Sequence, residues 1–599
     1  FKSAAGYVSR VHIVQQRALM LLRDLIVSKC TSIGTELQQS DTFTSYIAPT
    51  ATGPGSSSTP ATSSSSTSAP GAESGTASVS KVTLLGLTEI LNANFQAKLD
   101  EVLPLIRQLE ERCIERKDSQ IYLNDILGVY YDSRLALLSP VLGHYLTSCC
   151  AQSPEPLNTL VEQGIPNLLS ISVDECKLFH QFFSLETVNT HLKSMVEGIG
   201  MVVYEKFRAY VLKVDDLKEL SSVIDNLRNT LLLGKLKSAG EGGTMLSGVI
   251  HKMIQDTQER FIFRASMFIK DVIGQFRYNF PDMLPYLRTV GDTTVALEKD
   301  AHFPTLNNTL LLLNTMHKAV EKGVFEGLAQ EAIGVCTDLL VRCSDIISGQ
   351  RSKEKIEFPR EEANLFLVRH LLTLRESIAP YDANFTFVEK WVDLSSLVNK
   401  KVTIQEKTRD TKKDVEAHLK VTCERFIAEC TEKLLANWAQ LGQKLKKESG
   451  PPTSGAVQLQ AGAASQLEAL LKEYATVMNA TKQQVKEIVM ILKYYLPNPL
   501  TINILFRPIK GHLMEAYQTL YNGLNTYIQD YNRSNRKAEP LTALTPKELL
   551  QWIEEQEKSA HSGSPQETAP RPLAFDLNLK APSPAPAATP TPTPPAVAP

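Results

Sequence analysis

The sequence predicts an all-α protein, an elongated rod of stacked helical bundles with disordered linkers and a disordered tail. Three observations predict it. Apolar residues recur at three- and four-residue spacing along most of the chain, the mark of amphipathic helices. At 599 residues the chain exceeds the roughly 100 to 200 that one core usually serves, so several units are expected. Stretches of Ser, Thr, Gly, Pro and Ala interrupt the helical pattern, and they hold too little apolar surface to offset the entropy of ordering them.

Residues 1–40, opening FKSAAGYVSRVHIVQQRALMLLRDLIV, read as a helix already under way, the continuation of a truncated helical region. Residues 41–80 are a Ser/Thr/Gly/Pro/Ala linker. Residues 81–290 form a helical bundle region, with short breaks expected at Pro154, at Pro166 and at the glycines of KSAGEGGT. A second bundle region covers 300–445. In it Leu367, Leu371, Leu374 and Ile378 make one apolar stripe, while Arg369, Thr373, Arg375 and Glu376 point elsewhere. Pro380 disfavours helix at Ala379 and should end that element, fixing how two rod elements join. The following NFTFVEKWVDL alternates in part and is expected to hold a short strand. A linker over 446–465 leads to a C-terminal bundle at 466–557, and 558–599 is a Pro/Ala-rich tail expected to be extended and mobile. No repeat of fixed period marks a regular solenoid.

Lys and Arg number 63 against 65 Asp and Glu, a net charge of −2. Such a balance supplies no large positive field for duplex nucleic acid, and nucleic acid is not an expected partner. Nine cysteines, two of them adjacent (Cys149 and Cys150), do not make the dense pattern of a secreted disulfide scaffold, so a reducing, cytosolic compartment is expected. The sequons at Asn307 and Asn384 would then go unused. No signal peptide is recognised, and no apolar run approaches the roughly 18 to 20 residues that cross a bilayer.

Candidate chemistry is sparse. Gly198 and Gly200 lack the third glycine and the preceding strand of a phosphate loop. Cys336/Cys343 and Cys423/Cys430 share a seven-residue spacing that suggests a metal. Each pair, however, sits within an apolar stripe, Ile333, Leu340 and Ile347 in one case and Val415, Leu419, Phe426 and Leu434 in the other. Cysteine there is a small core hydrophobe, and zinc sites favour closer pairs. His370 and His418 lie on helices flanked by charge and are expected at the surface or its boundary. The segment 258–280 interleaves Arg260, Arg264, Lys270 and Arg277 with Phe261, Phe263, Phe268, Phe276 and Tyr278, which raises a membrane-surface or nucleic-acid reading. The competing reading is a bundle helix that buries Phe261, Ala265, Phe268, Val272 and Phe276, with Glu259 and Asp271 diluting the charge. No catalytic, cofactor-binding or metal residue is expected. Helix faces that pack inward and faces that meet a partner share one period, so partner-binding residues stay unassigned.

LFLVRHLLTLRESIAPY (365–381), TKKDVEAHLKVTCERFI (411–427) and NILFRPIKGHL (503–513), with QIYLNDILGVYYDSRLALLSP (120–140) and VDECKLFHQFF (173–183) in support, together resemble the third-subunit family of the conserved oligomeric Golgi complex, one of the helical-rod tethering families. The stretches occur in the family's order, and none is a catalytic signature. The resemblance implies a non-enzymatic vesicle-tethering subunit on the cytosolic face of the Golgi membrane, peripheral and without a cofactor. It also implies retrograde intra-Golgi transport, with the other complex subunits, SNAREs, Rab GTPases and vesicle coat as partners. The resemblance does not extend to the tail after 558, and 386–411 is shorter than the family pattern.

Overall fold

The computed structural model describes residues 2–47, 83–151, 153–184, 189–275, 277–288, 302–381, 386–393, 403–448, 462–534 and 543–559. Among them the chain is helical apart from one hairpin, and it divides into two compact units, Phe1–Phe426 and Ile427–Pro599. The first unit begins with α1 (Lys2–Gln38), α2 (Asp41–Ile47), α3 (Leu84–Leu99), α4 (Leu103–Glu115), α5 (Gln120–Ala151), α6 (Pro156–Thr159), α7 (Ile165–Phe182) and α8 (Asn189–Val211). It continues with α9 (Leu217–Asp225), α10 (Leu236–Ser238), α11 (Gly240–Phe268), α12 (Phe280–Met283), α13 (Pro304–Ala319), α14 (Lys322–Lys353) and α15 (Pro359–Ile378). Strands β1 (Thr386–Asp393) and β2 (Thr403–Asp410) precede α16 (Thr411–Glu448), inside which the first unit ends. The second unit adds α17 (Gly462–Tyr495), α18 (Pro499–Ser534) and α19 (Pro546–Ser559).

Local chemistry sets the helix starts. Thr83 Oγ1 accepts from the Gly86 amide at the head of α3, and Asp216 accepts from the Lys218 amide at the head of α9, each satisfying a donor left free by the first turn. Thr545 and Glu548 reciprocate ahead of α19, the carboxylate accepting from the Thr545 amide at 2.8 Å, which is a capping box. α15 ends at Ile378 as expected, but Ala379 is not pushed out of the helical region: it keeps φ −58° and ψ −40°, and its amide closes the last turn on the Arg375 carbonyl.

In the first unit α5 packs on α1 and α8, α8 on α11, α11 on α7 and α9, α13 on α9 and α14, and α14 on α15. The Arg134 guanidinium, fully buried in α5, meets Glu175 of α7 with Nε donating at 3.0 Å, and it lies 4.8 Å from the Phe95 ring centre of α3. This pins three helices together. The second unit is centred on Trp438, Tyr495, Phe506 and Tyr517, all buried. There Trp438 Nε1 donates to Thr481 Oγ1 at 2.6 Å.

Several elements depart from the sequence reading. Pro166 does not break the chain. Residues Leu160–Gly164 form a π-helical turn that runs directly into α7, and the widened turn ahead of the proline absorbs its missing amide donor. Another π turn, Ile269–Gly274, extends α11 and shifts the buried face. Phe261 and Ala265 are core as expected, but the next core positions are Ile269 and Ile273, with Phe268 and Val272 only half-buried. Phe276 lies outside the described residues.

β1 falls where alternation predicts a strand, and its antiparallel partner β2 was not predicted. TIQEKTRD holds one large apolar residue, Ile404, so it gives no alternation signal. The antiparallel register sets Thr386 opposite Asp410 and Asp393 opposite Thr403.

Helix α2, with Phe43 buried, occupies the first residues of the segment expected to be a linker; 48–80 lie outside the described residues. So do 449–461 of the expected linker over 446–465, whose ends belong to α16 and α17, and so do 560–599 of the tail and the sequon at Asn384.

Candidate interaction surfaces

The residues singled out for chemistry are structural. A Cβ at Gly198 would lie 2.6 Å from the Tyr131 hydroxyl of α5, and one at Gly200 would lie 3.0 Å from Leu246 of α11. Both glycines let α8 approach its neighbours closely. Cys336 and Cys343 are buried in α14, where burial pushes both thiols up to about 12, and burial pushes Cys423 up to about 11. Such thiols stay protonated and are poor nucleophiles and metal ligands. Among the described residues no group of three or more His, Cys, Asp or Glu is placed to hold a metal ion.

His418 is exposed as expected, but His370 is not a surface histidine. It is 1% exposed in α15, its Nδ1–H donates to the Phe366 carbonyl at 2.7 Å, and burial pulls its pKa down to about 3. The flanking Arg369 misled: α15 is enclosed on nearly every side through Glu361–Leu371, so a charged sequence neighbour says little about exposure there.

The basic aromatic segment partly neutralises itself. Asp215 accepts from Arg260 at 2.9 Å and pairs with Arg264 at 3.4 Å, while the Arg260 guanidinium sits 5.6 Å from the Phe263 ring centre. Phe261 and Tyr278 are buried, and Phe263 is exposed beside Leu212 over a groove of about 290 Å³. A larger cleft of about 430 Å³ between α14 and the start of α16 is lined by Glu331, Asp338, Asp414 and His418. The Thr337 hydroxyl in its wall is engaged by the Ile333 carbonyl of its own helix.

Among the described residues, exposed large apolar side chains are most numerous on α1. Its second half is anchored: Ile26, Cys30, Ile33 and Leu37 are buried, mainly against α5. Arg23 pairs with Asp125 at 3.1 Å and Lys29 with Glu101 at 2.6 Å. The first half carries a second stripe. Tyr7, Val11, Val14, Ala18, Leu21 and Leu25 follow alternating four- and three-residue steps and all are exposed, Tyr7 by 74% and Leu21 by 65%. That spacing is a heptad seam, which keeps one face towards a partner helix. Arg10 and Arg17 border it. The sequence did contain this signal, because two stripes run along one helix and a single neighbouring bundle covers only one of them. No helix of the described residues is long and apolar enough to cross a membrane.

Residues 88–397 match the family described as Conserved oligomeric Golgi complex subunit 3, C-terminal, and residues 418–545 match the COG3 C-terminal cap domain. Similar curated proteins include Conserved oligomeric Golgi complex subunit 3 of Mus musculus and of Homo sapiens, each 25% identical over 71% of this chain. The protein of that name from Saccharomyces cerevisiae is 19% identical over 55% of this chain and 48% of its own length. The chain spans 61% and 60% of the mouse and human relatives. A solved structure, of exocyst subunit Exo70p and the Exo84p C-terminal domains, is similar at 12% identity with a TM-score of 0.37, over 79% of this chain and 90% of that one. Since the subunit 3 C-terminal family alone accounts for more than half of the sequence, the chain belongs to the conserved oligomeric Golgi complex subunit 3 family.

Proposed function

We propose that the chain is a non-enzymatic subunit of a Golgi vesicle-tethering complex, acting in retrograde intra-Golgi transport through protein–protein contacts. In this reading it sits peripherally on the cytosolic face of the Golgi membrane, held to the other subunits of the complex. SNAREs, Rab GTPases and vesicle coat are its further partners. Family membership supports the role. The observation that carries it is the heptad stripe from Tyr7 to Leu25, because a seam of that period is satisfied by another helix and the described residues of this chain leave it bare.

The test is affinity purification of the tagged full-length parent protein from lysate, with mass spectrometry of what accompanies it, for the wild type and for Val14→Asp/Leu21→Asp. The wild type should bring the other Golgi tether subunits in stoichiometric amounts, and the variant should lose one or more of them at least tenfold while unfolding at an unchanged temperature. Recovery of another tether's subunits would move the compartment, and recovery of nothing stable would overturn the reading.

A further inference from the structure

Helix α19 packs on both α17 and α18, yet among its described side chains only Leu549 and Ile553 are buried. Polar contacts fix its direction. At its head the Tyr517 hydroxyl of α18 donates to the Leu544 carbonyl and lies 2.7 Å from the Tyr474 hydroxyl of α17. Midway, the Trp552 ring centre lies 5.5 Å from Lys482 Nζ and 5.9 Å from Lys486 Nζ of α17, within cation–π range. At its far end Glu557 accepts from Lys510 of α18 at 3.1 Å, the two side chains only 17% and 22% exposed. Helix α19 therefore runs parallel to α17 and antiparallel to α18, in the groove between them. It is acidic, with Glu548, Glu554, Glu555 and Glu557 against Lys547 and Lys558. The cap-domain match closes at residue 545, so these groove contacts belong to the matched domain and their occupant lies outside it.

We propose that the α17–α18 groove is a docking site for an acidic amphipathic helix, covered in this chain by α19 and opened when a partner protein's helix of the same pattern takes its place. Helix α19 displays the pattern itself. Leu549, Trp552 and Ile553 are anchors at i, i+3 and i+4, the spacing with which a helix fills a groove. The charges choose the ligand: with α19 gone, Lys482, Lys486 and Lys510 would lose these contacts around an apolar cleft, which complements an acidic helix and disfavours a basic one. A helix of 14 residues is marginal by itself, and two buried anchors place α19 among the elements that open locally, ahead of α17 and α18. Attachment to the chain holds it down through a high effective concentration, so an incoming helix must compete with it. The groove is separate from the α1 seam, and without it the tethering reading would stand.

The test uses the full chain and a fluorescein-labelled peptide of residues 545–559, with binding read by anisotropy. Leu549→Asp/Ile553→Asp in the chain should release α19 and raise peptide affinity at least tenfold over the wild type, whose groove is already filled, and the milder Leu549→Ala/Ile553→Ala should raise it by less. The same aspartate pair placed in the peptide should abolish binding. Lys510→Glu added to the released chain should weaken binding about fivefold, and a Glu557→Lys peptide should restore it. Equal affinity of the wild-type and released chains, or a charge swap without rescue, would overturn the proposal. Loss of amide protection across α17 and α18 in both the aspartate and the alanine variants would also overturn it, because α19 would then be part of the core. So would a wild-type dimer that Leu549→Asp/Ile553→Asp dissolves, since the groove would then hold α19 of a second copy.

Discussion

Helix α15 and the first half of α1 carry apolar stripes of the same helical kind, and one is enclosed while the other is bare. In α15 every residue from Leu365 to Val368 is buried, and Glu361, Glu362, Asn364 and His370 are buried with them. In α1 the stripe from Tyr7 to Leu25 faces outward, beside a second stripe that does the packing. Periodicity therefore identifies a face that avoids water without saying what covers it. The distinguishing mark is burial: α15 is enclosed nearly all round through Glu361–Leu371, polar side chains included, whereas α1 has one more stripe than the described residues cover.

If that contrast is right, substitutions in enclosed positions should cost stability, and substitutions on the bare stripe should cost association instead. The largest effect is expected at the buried pair that pins α5 to α7. Glu175→Ala leaves Arg134 uncompensated in the core and should destabilise the first unit by about 3 to 5 kcal/mol in chemical denaturation, while Arg134→Met/Glu175→Leu should recover most of the loss. Next comes Leu371→Ala, which opens a cavity in the fully enclosed stripe of α15 for about 2 to 5 kcal/mol; a midpoint close to that of the wild type would mean α15 is less enclosed than described.

His370 sharpens the contrast through pH. Its folded pKa is depressed to about 3 from 6.5, so both states are neutral above pH 6.5 and its contribution is then fully present. As pH falls from 6.5 towards 3 the unfolded chain takes up a proton that the folded chain refuses, and stability should drop by about 1.4 kcal/mol per pH unit. His370→Leu should flatten that limb of the stability curve, and an unchanged acid limb would show that other groups produce it. On the surface, Lys29→Met removes the exposed pair with Glu101 and should cost below about 1 kcal/mol. The smallest stability change, within about 0.5 kcal/mol, is expected for Val14→Asp/Leu21→Asp, the same pair predicted to lose partner subunits.

What the sequence made legible follows the strength of local signals. The helical class, the stop at Pro380, the core role of Cys336 and Cys343 and the strand at 386–393 all rest on spacing or on one strong residue. The π turns at Leu160–Gly164 and Ile269–Gly274 left no such trace, so Pro166 seemed to be a break and Phe268 seemed to be core. Strand β2 was hidden because TIQEKTRD, with one large apolar residue, carries no alternation to mark it. His370 was misplaced because its burial comes from helices distant in sequence. The α1 seam was written in the residues, yet a heptad states only that a helix is wanted, and it took the packing of Ile26, Cys30, Ile33 and Leu37 to show which stripe remained bare.

Amide hydrogen exchange tests the central contrast most directly, with the isolated chain compared against the same chain in the complex purified with its sibling subunits. The account predicts that α15 is strongly protected in both, and that Tyr7–Leu25 exchanges quickly in the isolated chain and slowly in the complex. Equal exchange of Tyr7–Leu25 in the two states, whether fast or slow, would contradict it.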